Sequence, residues 1–500
     1  MMALATLVAG LIAFVAVLKG LAVERHAVSA IRIAQNAVNV IADPELNDDA
    51  KEKHVQRATF SLLGSVAVLF AIGVAACLTA AAFVVGGGLL GLADIDQTVG
   101  IATSWTFILW SSAGAVLLWL ALTKLGARRG AGERGHKDER DEVPYSPLDK
   151  ALHNFAFAAP ERQITLSAME DRLWRRTIES ASSERPVFIT SLPRAGTTIL
   201  LELLANQKEF ASATYRNMPF TMAPLLWGRF SGVFRKAGEK AERAHGDGII
   251  VDFDSPEAFE EMIWMAFWPQ HYESGRIGLW TESDRKTDFE SFLARHMRKI
   301  VAAAPGARRY ISKNNANVAR LPLLLTAFPD AQVVIPVRNP VAQVASLMRQ
   351  HQRFTELHRR DRFARQYMEG IGHFEFGAAL KPIAFPGAPQ SAEGAEHVDY
   401  WLSYWICAYE HILDTAPVGT AFVDHDALSN NPVLHLPRLA EALGIGDRGS
   451  LLSAAPMFRA PKAPPSLPGA SPDLLKRAFE LHATLRGRAL QPVPFDKKAG

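Results

Sequence analysis

A chain of 500 residues with 49% hydrophobic composition has room for more than one folding unit. Its formal charge of +3, with basic residues spread along the chain, excludes the dense cationic surface of a nucleic-acid binder. Two cysteines, Cys77 in an apolar run and Cys407 in a Trp/Tyr-rich stretch, exclude a disulfide framework and a thiolate metal site; both are expected as small buried residues in a reducing compartment.

The chain begins with three uncharged runs, at 2–18, 60–93 and 101–122. Each passes the test of roughly 18 apolar residues for a membrane helix, which predicts an all-α transmembrane region over 1–123. The competing readings are a signal peptide for the first run, although it lacks a basic leader, and buried helices of a soluble domain for the other two. Arg25, Arg32, Lys51, Lys53 and Arg57 lie between the first two runs, and Lys124, Arg128, Arg129, Arg134, Lys137 and Arg140 follow the third. The link "DIDQTVG" has no Lys or Arg. The positive-inside rule then predicts a multi-pass protein of an inner or plasma membrane, with the 24–59 loop and everything after 123 in the cytoplasm. Apolar residues at helical spacing over 25–42 predict an interfacial or juxtamembrane helix.

A charged, Gly-rich stretch at 124–144 reads as a linker. Beyond it, 145–500 alternates strand-like and helix-like segments, which predicts an α/β domain with a doubly wound, mainly parallel sheet flanked by helices.

The stretch "PVFITSLPRAGTTILLELLANQ", 186–207, reads as a buried strand, a tight loop and an amphipathic helix. Unpaired N–H groups and the positive dipole end at such a helix start make an anion site. Arg194, Thr197 and Thr198 add donors. Set against the nucleotide P-loop G-x-x-x-x-G-K-[ST], Thr197 stands where the phosphate-spanning lysine belongs, and Arg194 lies inside the loop instead. This disfavours a kinase. Further on, "FPDAQVVIPVRNPVAQVASLMRQH" predicts a turn, a strand, Arg338, and a helix capped by Asn339 with Pro340 in its first turn and Ser346 two turns in. An arginine and a serine so placed can converge on a second anion.

"PRAGTT" resembles the "PRSGTT" loop of sulfotransferases that use 3′-phosphoadenosine 5′-phosphosulfate (PAPS), and the Arg338/Ser346 spacing is similar to that family's 3′-phosphate site. The resemblance covers roughly 185–445, down to "FVDHDAL" at 422–428, and extends to "RRYISKNNANVARL", where the family's Glu-type branch has a lysine. It implies that Pro193, Arg194, Ala195, Gly196, Thr197 and Thr198 hold the 5′-phosphosulfate. It implies further that Arg338 and Ser346 hold the 3′-phosphate, that Lys313 contacts the sulfonyl group or its bridging oxygen, and that no metal is needed. Ala195 replaces the family's serine and removes one hydroxyl.

The resemblance fails at the base. Where the Glu-type branch has its glutamate, this chain has Tyr215 and Arg216. The replacement candidates, in order, are His245, Asp247 and Glu257; Ser255 and Pro256 predict a helix start that would account for Glu257 structurally. Arg216 and Asn217 are candidates for the acceptor pocket, and one of Glu260 and Glu261 for facing the core or a pocket. The aromatic stripe Val398, Trp401, Leu402, Trp405, Tyr409 predicts a core-facing helix, and 350–367 a charged, solvated one. The reading that results is a membrane-anchored enzyme transferring a sulfonyl group from PAPS to a hydroxyl-bearing acceptor, a glycan or lipid at the membrane, with no nucleic-acid partner. The oligomeric state stays open, a homo-oligomer included. The alternatives are a P-loop kinase and a non-catalytic membrane scaffold.

Overall fold

The computed structural model describes residues 2–24, 26, 29–30, 33, 48–91, 94–105, 107, 111, 114–115, 153, 156–157, 159–231, 241–242, 250–251, 256–257, 259–461 and 463–491. The chain divides into two compact units, Met1–Pro147 and Leu148–Gly500.

In the first unit, helices α1 (Met2–Gly20) and α2 (Asp48–Leu89) run antiparallel. Gly10 lies against Ala80, and a Cβ on Gly87 would come within 2.6 Å of the Thr6 methyl. Small residues at such crossings let two backbones approach closely. A short helix, α3 (Ile95–Ala102), follows, with the Asp94 side chain accepting from the Gln97 N–H. Met2–Gly20 and Ala67–Leu89 are long and apolar enough to cross a membrane. Most of the third run, most of the 25–42 segment and the 124–144 linker lie outside the described residues. Cys77 departs from expectation: it is exposed on α2. Over Ala67–Leu89 the helix is apolar all round, so Phe70 and Leu78 also face outward, and an apolar neighbourhood in sequence does not bury a side chain within the protein.

The second unit is built on five parallel strands, β1 (Val187–Ile189), β2 (Phe210–Ala211), β3 (Arg309–Lys313), β4 (Gln332–Val337) and β5 (Ala421–Asp424), in the order β2-β3-β1-β4-β5. Side chains alternate between two cores, as the period of a strand requires. Phe188, Tyr310, Val333, Ile335 and Phe422 enter one core. They meet α5 (Glu261–Phe267), α6 (Thr287–Ala303), α7 (Pro340–Arg360), α8 (Val398–Thr415) and a later helix at Pro472–Arg488. Val187, Ile189, Ile311, Val334 and Val423 enter the other, against α4 (Thr197–Ala205) and the helix Pro432–Leu443. A sheet covered on both faces needs apolar residues on both, which is why these strands read as continuous apolar runs. The doubly wound α/β fold is therefore as anticipated.

From β1 the chain crosses outward to β2 and returns through β3; from β4 it moves the other way to β5. The reversal falls between β1 and β4, and in open α/β sheets ligands sit at the carboxyl ends of strands at such a point. Ile189 is in register with both Lys313 and Val334, so the loops leaving β3, β1 and β4 open on one edge.

Ser255 lies outside the described residues, and the predicted helix start is not formed at Pro256. Pro256 instead pairs with Thr214 in an isolated bridge, the Glu257 N–H donates to the Ala213 carbonyl, and the helix begins only at Glu261. Proline's fixed φ suits an extended segment as well as a first turn, and burial of Glu257 and Phe259 selects the former. The stripe from Val398 to Tyr409 is buried in α8 as expected. The charged helix ends at Arg360, where Asp361 caps a new one, and the exposed Arg359 and Arg360 pair with Glu356.

Candidate functional site

The loop after β1 is fastened from behind. Ser191 Oγ donates to the Pro336 carbonyl at 2.8 Å and lies 2.8 Å from the Tyr409 hydroxyl. The Gln343 amide donates to the Pro193 carbonyl at 3.0 Å, while its oxygen accepts from Trp405 Nε1 and the Tyr409 hydroxyl. These buried contacts give the loop a fixed shape before any ligand arrives. Its tip departs from ordinary backbone at two positions: Arg194 has φ 70° and Gly196 φ 100°. A non-glycine residue there is strained, and such strain collects at binding loops. Gly196 is required twice over, because an added Cβ would lie 2.3 Å from His425 Nδ1.

Arg338 leaves the end of β4 and donates from Nη1 to the Arg194 carbonyl at 3.0 Å. Arg194 Nε donates to Ser346 Oγ at 3.0 Å. The two cationic elements predicted from distant parts of the sequence therefore touch. Asn339 caps α7, its side chain accepting from the Ala342 N–H, with Pro340 in the first turn. Arg338 Nε is buried with no hydrogen-bond partner. Burial pulls the Arg338 guanidinium down from its ordinary pKa, and nearby Arg194 and Arg349 add to this against Asp426. A buried cation with an unsatisfied donor suits an anionic ligand.

At the end of β3, Lys313 is buried with its Nζ 3.8 Å from Glu257 Oε1, and Glu257 Oε2 accepts from the Tyr215 hydroxyl at 2.6 Å. Of the three base candidates, Glu257 thus lies beside Lys313, whereas His245 and Asp247 lie outside the described residues. Tyr215, which replaces the expected glutamate, reaches a glutamate in space. Asn217 caps its own turn by accepting from the Thr214 N–H. Glu260 and Glu261 are both buried. Glu260 accepts from Ser312, and Glu261 is held by Arg320, Tyr272 and Asn314.

A cleft opens beside the loop, lined among others by Pro193, Lys313 and residues of the 372–383 segment. Leu347, Phe374 and Trp401 make its walls apolar, and Asn315, His373 and Glu375 bring polar groups into it. Thr197 Oγ1 donates to Asn315 Oδ1 at 3.4 Å, and Asn315 Nδ2 donates to Glu375 Oε1 at 3.1 Å. Neither Glu375 nor Asn315 stood out in the sequence. Asn315 was within reach of notice, two residues past Lys313; "GHFEFG" around Glu375 carries no signal of its own. Among the described residues, no group of three or more His, Cys, Asp or Glu side chains converges as a metal site would require.

Two arginine-bearing loops, each opening a helix, thus stand at adjoining strand ends of the parallel sheet in this α/β unit. Within it, residues 186–379 match the sulfotransferase family. Similar solved structures include sulfotransferase STF9 from Mycobacterium avium, 14% identical, covering 74% of this chain and 97% of that one with a TM-score of 0.42. Sulfotransferase STF1 from Mycobacterium tuberculosis H37Rv is 14% identical over 68% of this chain and 87% of its own, TM-score 0.40. A sulfotransferase from Alicyclobacillus acidocaldarius is 13% identical over 61% and 94%, TM-score 0.31. No curated protein gives a significant match.

Proposed function

We propose that this chain transfers the sulfonyl group of PAPS to a hydroxyl-bearing acceptor at a membrane. The observation that carries this reading is the contact chain Arg338–Arg194–Ser346, which joins the two arginine-bearing loops into one cationic cradle at the strand ends. PAPS supplies an activated sulfonyl group on a good leaving phosphate. Arg194, Thr197, Thr198 and the helix start bind its 5′ end. Arg338, with its unsatisfied Nε, and Ser346 bind the 3′-phosphate and select against ATP. Lys313 meets negative charge developing on the bridging oxygen, a preorganised electrostatic role. Glu257, buried against Lys313 and Tyr215, holds that ammonium group in place.

The acceptor enters by the cleft, whose apolar walls favour a lipid or a glycan on a lipid carrier over a free sugar. Residues 1–123 anchor the enzyme in an inner or plasma membrane, 124–144 link it, and 145–500 work in the cytoplasm, where loop charge places them. The test is transfer of label from [35S]PAPS by membranes containing the chain. Label should enter the lipid extract and remain absent after Arg194→Ala. Label confined to soluble peptide would remove the membrane acceptor, and phosphate transfer from ATP would remove the whole reading.

A further inference from the structure

Within the sulfonyl-transfer reading, on which this inference rests, the acceptor's proton still needs a recipient, and the buried carboxylates around Lys313 are poorly placed for it. Glu261 is committed to Arg320, Tyr272 and Asn314. Glu257 is 4% exposed, with one oxygen on the Tyr215 hydroxyl and the other facing Lys313. Unlike Lys313, it does not line the cleft.

Glu375 differs on each count. It is half-buried and lines the cleft together with Pro193 and Lys313, so it faces the space next to the loop's phosphosulfate position. Its Oε1 accepts from Asn315 Nδ2 at 3.1 Å, and the same Asn315 side chain accepts from Thr197 of the anion loop at 3.4 Å. Asn315 also follows Lys313 by two residues, within the turn that leaves β3. One amide therefore ties the carboxylate to the anion loop and to the strand end that presents the lysine. A base must be oriented relative to the reacting group before its proton affinity matters. Asn315 provides that orientation and leaves the second carboxylate oxygen for the acceptor.

We infer that Glu375 is the general base. As the acceptor oxygen bonds to sulfur, the sulfur–oxygen bond to the bridging phosphate oxygen breaks and its electron pair stays on that oxygen. The acceptor's proton passes to Glu375. The products are the sulfated acceptor and the 3′,5′-bisphosphate.

The experiment uses the full chain in detergent with PAPS and three probes: water, phenol and 4-nitrophenol, the last already ionised near neutrality. Glu375→Gln should lower transfer to water and phenol by about 10²–10⁴-fold, the usual contribution of a positioned base, and transfer to the nitrophenolate by far less. Quenching of protein fluorescence gives a readout apart from turnover. In the presence of the bisphosphate, Glu375→Gln should bind the nitrophenolate anion several-fold more tightly, since a like charge has been removed. The bisphosphate's own affinity should not change. Equal losses for phenol and nitrophenol would mark a merely structural role and overturn the inference. So would wild-type rates in Glu375→Gln, or the acceptor-dependent loss appearing in Glu257→Gln or His373→Gln instead. If the wild-type chain fails to bind the bisphosphate, it is the donor reading that falls, which keeps the two failures distinct.

Discussion

Replacing Gly196 by alanine tests the loop geometry directly. At φ 100° an L-residue is strained, which costs about 1–3 kcal/mol. The new methyl also lies 2.3 Å from His425 Nδ1. His425 follows Asp424, whose side chain caps the next helix, so its backbone has little freedom to retreat. Overpacking of this kind costs a further 1–3 kcal/mol or so. The sum, about 2–6 kcal/mol, is read from urea denaturation of the full chain in micelles, followed by tryptophan fluorescence. Trp264, Trp268, Trp280, Trp401 and Trp405 all report on the α/β unit's core. Adding His425→Ala should recover the contact share, with a coupling of about 1–3 kcal/mol, and leave the backbone share. A loss below about 0.5 kcal/mol for Gly196→Ala, in the range of an ordinary surface change, or no coupling to His425, would refute the argument.

Acid should destabilise the unit through two histidines. Burial, aided by Arg338 and opposed by Asp426 and Asp424, pulls His425 to about 4; burial and Lys299 pull His296 to about 3. Between these values and the ordinary 6.5 the unfolded chain binds more protons, so their contribution is complete above about 6.5 and fades as pH falls toward 4. At pH 5 each removes on the order of 2 kcal/mol relative to pH 7, and His425→Gln should remove its share of the pH dependence of the urea midpoint, to which other histidines lowered by burial, such as His358 and His411, also contribute. Arg320→Met should cost about 3–5 kcal/mol, because it leaves Glu261 buried without its cation and strips the guanidinium from Trp264 at 3.9 Å. Lys313→Ala should lower kcat by about 10²–10³ with bisphosphate affinity changed only a few-fold, the mark of an interaction made as charge develops.

The strand–loop–helix units around Arg194 and Arg338 were legible because local rules fix them: apolar runs for strands bounded on both faces, Asn339 and Pro340 for a helix start, and a glycine where φ turns positive. That both open on one edge follows from sheet order, which no local pattern contains. The base region was not legible for the same reason. Glu257 reads locally as a helix-start residue, yet tertiary burial beside Tyr215 and Lys313 overrides that preference. Glu375 and Asn315 meet across sixty residues of chain through a single amide contact. Cys77 shows the converse limit, since an apolar run does not say whether its cover is protein.

Arg338 and Arg194 are proposed to hold the 3′- and 5′-phosphates of one nucleotide. Thermal shift of the full chain with 3′,5′-bisphosphate against 5′-AMP, repeated on Arg338→Ala, tests it most directly. At a hundred times its Kd a ligand stabilises by about 2.7 kcal/mol; that shift should come with the bisphosphate alone and vanish in the variant. Equal shifts from both nucleotides, or a bisphosphate shift that survives Arg338→Ala, would show that Arg338 does not bind the 3′-phosphate.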